Sequence, residues 1–229
     1  MIPLQVLQSR DALAAKAADR IEEALCEGLA VRGAACAALS GGSTPEPAYA
    51  LLAARDLDWK NIMFALMDER FAPPSDPVSN ERMLRRALAP ALTQGARLLP
   101  LWSHTTPQAA ADMASAIYAA LEIDIALMGM GADGHSASWF PGAAGIEAAL
   151  DLNNPRSVIA VEAPGAAGAA QRLTMTLAAV ARARAVLVVM AGADKFATLG
   201  GALDQDPRTA PMAALAQAAN GKFDIVWAP

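Results

Sequence analysis

The 229-residue chain is poor in the residues that would give it metal or disulfide chemistry. It has two cysteines, Cys26 and Cys36, and two histidines, His104 and His135, scattered without zinc-ligand spacing, so no metal is assigned. Both cysteines fall in apolar-periodic stretches, where a buried free thiol is the ordinary occupant, and unbridged thiols suit a reducing cytoplasm. Lysine is scarce, at four residues, no basic run occurs, and the net charge is -5. That balance argues against nucleic acid and anionic membranes as partners, and it means an anionic ligand must be held by local cations. No apolar run is long enough to span a bilayer. The stretch from Met1 to Asp19 lacks a positive start and is interrupted by Gln5, Gln8, Ser9 and Asp11, which makes it a poor signal peptide.

What is present is apolar mass. At 55% hydrophobic and 18% charged, the chain can bury a sizeable core without staples. The length suits one domain over residues 1–229. Leu13, Ala17, Ile21, Ala24 and Leu25 recur at helical spacing between Ser9 and Val31. Ala34 to Leu39 reads as a buried strand closed by Ser40-Gly41-Gly42. Ser43-Thr44-Pro45-Glu46 then offers a cap, a first-turn proline and a capping-box carboxylate for a helix to about Ala54. Ile62 to Met67 reads as a second strand, Asp68 to Ser79 as a Pro-containing loop and Asn80 to Leu88 as a helix. Further on come a helix from Pro107 to Leu121, a strand from Asp124 to Met128, a strand from Ala185 to Met190, a helix from Phe196 to Leu203 and a closing strand from Phe223 to Trp227. Ala163 to Ala170 reads as a mobile Gly/Ala loop. The alternation predicts an α/β domain with a mainly parallel sheet covered on both faces. Ligands of such sheets bind beyond the carboxyl ends of the strands, where the loops starting at Ser40, Asp68, Gly129 and Ala191 would gather.

Four segments can carry chemistry. Ser40 to Pro45 can cradle an anion on free N–H groups and hydroxyls, and it reads equally as a tight strand-to-helix turn. It matches neither nucleotide fingerprint. Asp68-Glu69-Arg70 could bind sugar hydroxyls and phosphate; taken alone, it reads better as solvated charges or as partners of Arg82, Arg85 and Arg86. His135, among Gly129, Gly131 and Gly134, is the residue best suited to move a proton near neutral pH; its plain structural use would be to satisfy loop carbonyls. His104 lacks such a setting and reads as a surface or structural residue. Arg172 and Lys195 supply positive charge, and each alone reads as a surface cation.

Taken in order from about Ala34 to Leu199, these segments resemble the 6-phosphogluconolactonase family. The most specific element is Gly131-Ala132-Asp133-Gly134-His135-Ser136-Ala137-Ser138-Trp139-Phe140-Pro141-Gly142; Ser40 to Pro45, Asp68 to Arg70 with Ser79-Asn80, Arg172-Leu173-Thr174 and Gly192 to Lys195 support it. The resemblance implies a Rossmann-like three-layer α/β domain that opens 6-phosphoglucono-1,5-lactone in the oxidative pentose phosphate pathway without metal, nucleotide or other cofactor. It implies His135 and Asp133 as catalytic residues, and Gly41, Gly42, Ser43, Thr44, Asp68, Arg70, Asn80, Gly131, Arg172 and Lys195 as the groups around sugar and phosphate. The expected partner is a small sugar-phosphate lactone, with the chain acting as a monomer or small homo-oligomer. Ala132, Ser136 and Trp139 stand where the family often has proline, threonine and leucine. The related glucosamine-6-phosphate deaminases carry a glutamate downstream of the same Asp-Gly-His core; here Ser138-Trp139-Phe140-Pro141 occupies that stretch. The rivals are a sugar-phosphate isomerase or deaminase, and a non-catalytic sugar-phosphate sensor.

Overall fold

The computed structural model describes residues 3–219 and 221–229. The first two positions of the stretch read as a poor signal peptide therefore lie outside the described residues.

Seven strands form one parallel sheet in the order β1-β10-β9-β6-β2-β3-β5, and three form a small antiparallel sheet in the order β4-β8-β7. The strands are β1 (Leu4–Val6), β2 (Ala35–Leu39), β3 (Ile62–Leu66), β4 (Asp68–Arg70), β5 (Arg97–Leu99), β6 (Ile125–Gly129), β7 (Val158–Glu162), β8 (Gln171–Met175), β9 (Ala185–Ala191) and β10 (Phe223–Ala228). The helices are α1 (Arg10–Arg32), α2 (Glu46–Ala53), α3 (Asn80–Ala87), α4 (Ala89–Thr93), α5 (Pro107–Tyr118), α6 (Ile146–Leu150), α7 (Leu177–Val180), α8 (Ala193–Leu203) and α9 (Pro211–Ala218). Helices flank the large sheet in a three-layer α/β arrangement, as the alternating pattern predicts.

The central strands are buried along their length because helices cover both faces, which is why they read as unbroken apolar runs. In α1 the buried set is Leu13, Ala17, Ile21 and Leu25 with their small neighbours, the apolar stripe read from the sequence. Ser9 caps this helix by accepting from the Ala12 amide, and Gly33, at φ 71°, ends it.

The start of β6 is anchored by charge. Asp124 is buried and accepts from the Cys36 amide at 2.9 Å and from Arg32 Nη2 at 2.5 Å. The Asp124 amide in turn donates to the Cys36 carbonyl, so this residue ties β6 to β2 at the amino edge of the sheet.

The small sheet attaches at the opposite edge. Met67, between β3 and β4, donates to the Leu39 carbonyl while its own carbonyl accepts from the Met175 amide, so one residue joins both sheets.

Three local expectations need correction. Cys26 is exposed, so its apolar periodicity does not place it in the core; Cys36 is buried, and desolvation with the nearby Asp124 charge pushes its thiol up to about 12. Neither Ser43 nor Thr44 caps α2, which starts on Pro45 without a side-chain cap, and Glu46 pairs with Arg86 instead of closing a box. The segment read as a loop from Asp68 to Ser79 begins with strand β4, formed because β8 offers it a partner.

Candidate active site

The loops after β2, β3, β6 and β9 open at one edge of the parallel sheet, and residues from each line a cleft of about 230 Å³. Its walls carry Arg70, Arg172 and Lys195 against the single carboxylate Asp68, so the cleft is locally cationic in a chain of net charge -5. A larger cavity, about 570 Å³, lies beside α6 and α9. Its one guanidinium, Arg208, is tied to Asp206, and Glu147 and Asp151 make its lining acidic, the wrong sign for a phosphate.

The catalytic-type loop follows β6. The Gly131 amide donates to the His135 carbonyl at 2.8 Å and the Gly134 amide to the Gly131 carbonyl at 3.1 Å, closing a tight turn that Gly134 enters at φ 83°. Inside it, His135 Nδ1 lies 2.5 Å from Asp133 Oδ1. A carboxylate only accepts, so Nδ1 carries the proton and Nε2 keeps the free lone pair. Partial burial works most strongly against the Asp133 charge, but the bond from the His135 ring, the His135 charge and the backbone amide bonds together outweigh it and hold the carboxyl below its ordinary value. Gly131 is needed for close approach: a Cβ there would lie 2.2 Å from His135 Nδ1 and Cε1.

Downstream, Ala137 sits in left-handed conformation at φ 51°, in the turn from Ser136 to Trp139. That turn is riveted to the small sheet. Ser138 Oγ donates to Asp68 Oδ2 at 2.6 Å, and Trp139 Nε1 donates to the Met175 carbonyl at 2.8 Å. On its other side, Thr198 of α8 bonds the Ala132 carbonyl at 3.0 Å, joining the loop to the helix that carries Lys195.

The loop after β2 is held by Tyr49, whose hydroxyl donates to the Ser40 carbonyl. Among the described residues, the amides of Gly41, Gly42, Ser43 and Thr44 have no protein acceptor. Four consecutive free N–H groups thus stand in the cleft wall ahead of α2, a chemistry suited to an anion. Ser40 Oγ, also in the cleft wall, is buried without a partner.

Asp68, Glu69 and Arg70 are not solvated charges, nor are they partners of Arg82, Arg85 or Arg86. Arg85 pairs with Glu81, Arg86 with Glu46, and Arg82 donates to the Ser75 carbonyl. Glu69 is fully buried and accepts from Ser79 Oγ and from the amides of Arg70, Asn80 and Glu81, which places it under the first turn of α3. Burial nevertheless pushes its carboxyl above the ordinary value. Asn80 links its neighbours: its amide NH₂ donates to Asp68, and its oxygen accepts from Arg70 Nη1 at 2.8 Å. Gly41 packs so closely that a Cβ would lie 1.9 Å from Asn80 Oδ1.

Arg172, buried on β8, spends two of its nitrogens on the carbonyls of Ala167 and Ala169, tying down the Gly/Ala loop read from the sequence. Desolvation lowers its pKa and the nearby Asp68 opposes that. Lys195 in the first turn of α8 is half-buried; burial and, secondarily, the Arg10 charge lower its pKa.

Ten of the sequence-predicted residues, Gly41, Gly42, Ser43, Thr44, Asp68, Arg70, Asn80, Gly131, Arg172 and Lys195, converge on this cleft with His135, and Asp133 stands against the imidazole. His104 is exposed, edge-on to Trp102. Sequence reasoning named Ser40, Ser138 and Phe140 only as members of motifs, without roles of their own, and missed Thr198, at which only its place one turn after Lys195 hinted. Among the described residues no group of three or more His, Cys, Asp and Glu side chains is arranged to hold a metal, and no helix is long and apolar enough to cross a membrane.

Comparison with known proteins agrees with this geometry. The family model described as glucosamine-6-phosphate isomerases/6-phosphogluconolactonase matches residues 8–227. A 6-phosphogluconolactonase of Rhizobium meliloti (strain 1021) is 37% identical over 230 residues, covering 99% of this chain and 98% of the relative. One of Caulobacter vibrioides is 36% identical, covering 99% and 97%. The crystal structure of a 6-phosphogluconolactonase from Shewanella baltica OS155 superimposes with a TM-score of 0.92 at 29% identity, covering 100% of this chain and 98% of that one. By full-length match in sequence and fold, the chain belongs to the glucosamine-6-phosphate isomerase/6-phosphogluconolactonase family.

Proposed function

We propose that this chain, acting as one domain in the cytoplasm, hydrolyses 6-phospho-D-glucono-1,5-lactone to 6-phospho-D-gluconate in the oxidative pentose phosphate pathway. The observation that carries this reading is the meeting, in one cleft, of a carboxylate-oriented imidazole with four free backbone amides and three cations. The lactone is an activated ester, so it needs a positioned water, a proton acceptor and a hold on the phosphate.

His135 Nε2 takes a proton from water as the oxygen attacks the C1 carbonyl, and the imidazolium passes it to the departing ring oxygen. Asp133 fixes the tautomer and stabilises the imidazolium. The phosphate lies against the amides of Gly41 to Thr44, the Ser43 and Thr44 hydroxyls, Arg70, Arg172 and Lys195. Asp68 and Asn80 face the sugar hydroxyls.

Of the loop amides from Gly131 to Gly134, which stand near the place an oxyanion would form, those of Gly131 and Gly134 already donate within the loop. Charge building on the C1 oxygen therefore falls to the remaining loop amides, Ala132 and Asp133, and to the cations of the cleft. The stretch Ser138-Trp139-Phe140-Pro141, which stands where the deaminases carry their glutamate, offers no carboxylate, so His135 is left as the proton carrier.

The test is a progress curve on freshly generated 6-phosphogluconolactone, corrected for spontaneous opening. His135→Ala should lower kcat by roughly 10²-fold or more. A variant as fast as the wild type removes His135 from the mechanism; ammonia or ketose phosphate formed from amino-sugar or aldose phosphates would move the chain to the isomerase side of its family.

A further inference from the structure

Phe140, half-buried and outside the cleft lining, touches both the imidazole and one of the cations of the site. Its ring centroid is 4.5 Å from that of His135 with the planes 31° apart, and the Arg172 guanidinium carbon sits over the same ring at 5.2 Å. The first contact is a close, tilted ring pair; the second is within cation–π range. Phe140 is itself fixed, because its neighbour Trp139 is buried and bonded to Met175, and Ser138 is bonded to Asp68.

We infer that Phe140 is a positioning residue that seats the His135 imidazole and the Arg172 guanidinium on one aromatic ring, setting the proton carrier and the phosphate cation in a fixed relation. This rests on the lactonase reading above.

The physical argument has three parts. The imidazole is otherwise held by a single side-chain bond, from Nδ1 to Asp133, about which the ring can still pivot. A flat partner 4.5 Å away removes that freedom and keeps Nε2 on one line. The negative face of the phenyl ring also favours the positive charge that His135 acquires as it takes the proton from water, so the ring pair is stronger in the transition state than in the resting enzyme. Arg172, by contrast, is a permanent cation, and its carbonyl partners Ala167 and Ala169 belong to a loop that makes no contact with the imidazole loop in the hydrogen-bond pattern. Phe140 therefore connects the imidazole and the guanidinium, between which no side-chain hydrogen bond runs among the described residues.

The test uses Phe140→Leu, which keeps apolar bulk and loses the ring face, and Phe140→Tyr, which keeps the face. Phe140→Leu should lower kcat about 5- to 10-fold, the size expected from losing one cation–π contact and its alignment, and raise KM several-fold through Arg172. Phe140→Tyr should restore both. The two effects should separate by background: on His135→Ala the kcat loss adds nothing further, and on Arg172→Met the KM rise adds nothing further. A merely structural role would add equally in every background. The ring protons of His135, one of two histidines, should also shift in the NMR spectrum of Phe140→Leu, a readout that needs no turnover. If Phe140→Leu fails to fold, Phe140→Met carries the same comparison. An active wild type with a kinetically silent Phe140→Leu and unmoved His135 resonances overturns the ring pairing alone; a wild type that does not open the lactone overturns the function beneath it.

Discussion

Replacing Gly131 by alanine should separate catalysis from stability. Gly131 does not occupy the left-handed region, so its backbone accepts alanine without strain. The obstacle is the side chain: the new Cβ would stand 2.2 Å from His135 Nδ1 and Cε1 and 2.6 Å from Asp133 Oδ1. Ordinary contact needs about 3.5–4.0 Å between carbon atoms, so the imidazole must retreat by more than about 1 Å. That movement breaks or lengthens the 2.5 Å bond that sets the tautomer. Misplacement by about 1 Å costs on the order of 10²-fold in rate, so kcat should fall by that factor. Stability should change little, because the imidazole edges the open cleft and can swing aside without repacking the core. KM should stay within about twofold, since the phosphate groups stand on other loops. Gly200→Ala is the control: its Cβ meets nothing within 4 Å in α8, so it should leave kcat alone and stabilise by up to about 1 kcal/mol. Lactone progress curves and thermal melts on both variants decide the matter. A Gly131→Ala enzyme with wild-type kcat, or one whose rate loss tracks a collapse in Tm, would refute the reasoning.

Gly41→Ala puts a Cβ 1.9 Å from Asn80 Oδ1, displacing the residue that links Asp68 to Arg70, and should raise KM about tenfold with a smaller change in kcat, as steady-state kinetics will show. Glu69→Gln leaves an NH₂ facing donors where an oxygen accepted from them, and should cost about 1–3 kcal/mol in denaturant melts. Because the native Glu69 carboxyl is raised above 4.5, the folded state holds its proton more readily than the unfolded chain. Its contribution to stability is thus complete below the ordinary value and lost as pH rises through the raised one, a downward slope that should vanish in Glu69→Gln.

Five strands of the parallel sheet were legible because they are buried apolar runs and the long helices carry a regular apolar stripe; the three-residue edge strands β1, exposed, and β5, with one buried residue, were not read. Arg10–Arg32 and Ala185–Ala191 agree with their expected spans to within a residue or two. The small sheet was not legible. β4 is only Asp-Glu-Arg, a sequence with no strand pattern, and it is buried because Asp68 and Glu69 find donors on Ser138 and α3, segments about ten and seventy residues away. The cleft residues were readable as types and spacings around glycines. Their division of labour was not, since whether the Gly131 and Gly134 amides point outward or close their own turn depends on loop conformation. Pro45 as the helix start hid the absence of a capping box for the same reason: the sequence names possible partners, and Arg86 on another helix takes Glu46 first.

Asp124 lies at the far end of β6 from His135, yet it governs where the histidine can be. A strand can slide against its neighbours only in whole residues, each step moving it about 3.3 Å and turning every side chain to the other face. With its carboxylate on the Cys36 amide and on Arg32, Asp124 fits one such step and leaves a buried unpaired charge in the others. The ion pair thus works as an index mark on a ruler: it fixes the phase of β6 at the amino edge, and the proton carrier at the carboxyl edge inherits its coordinate along the strand axis from that mark.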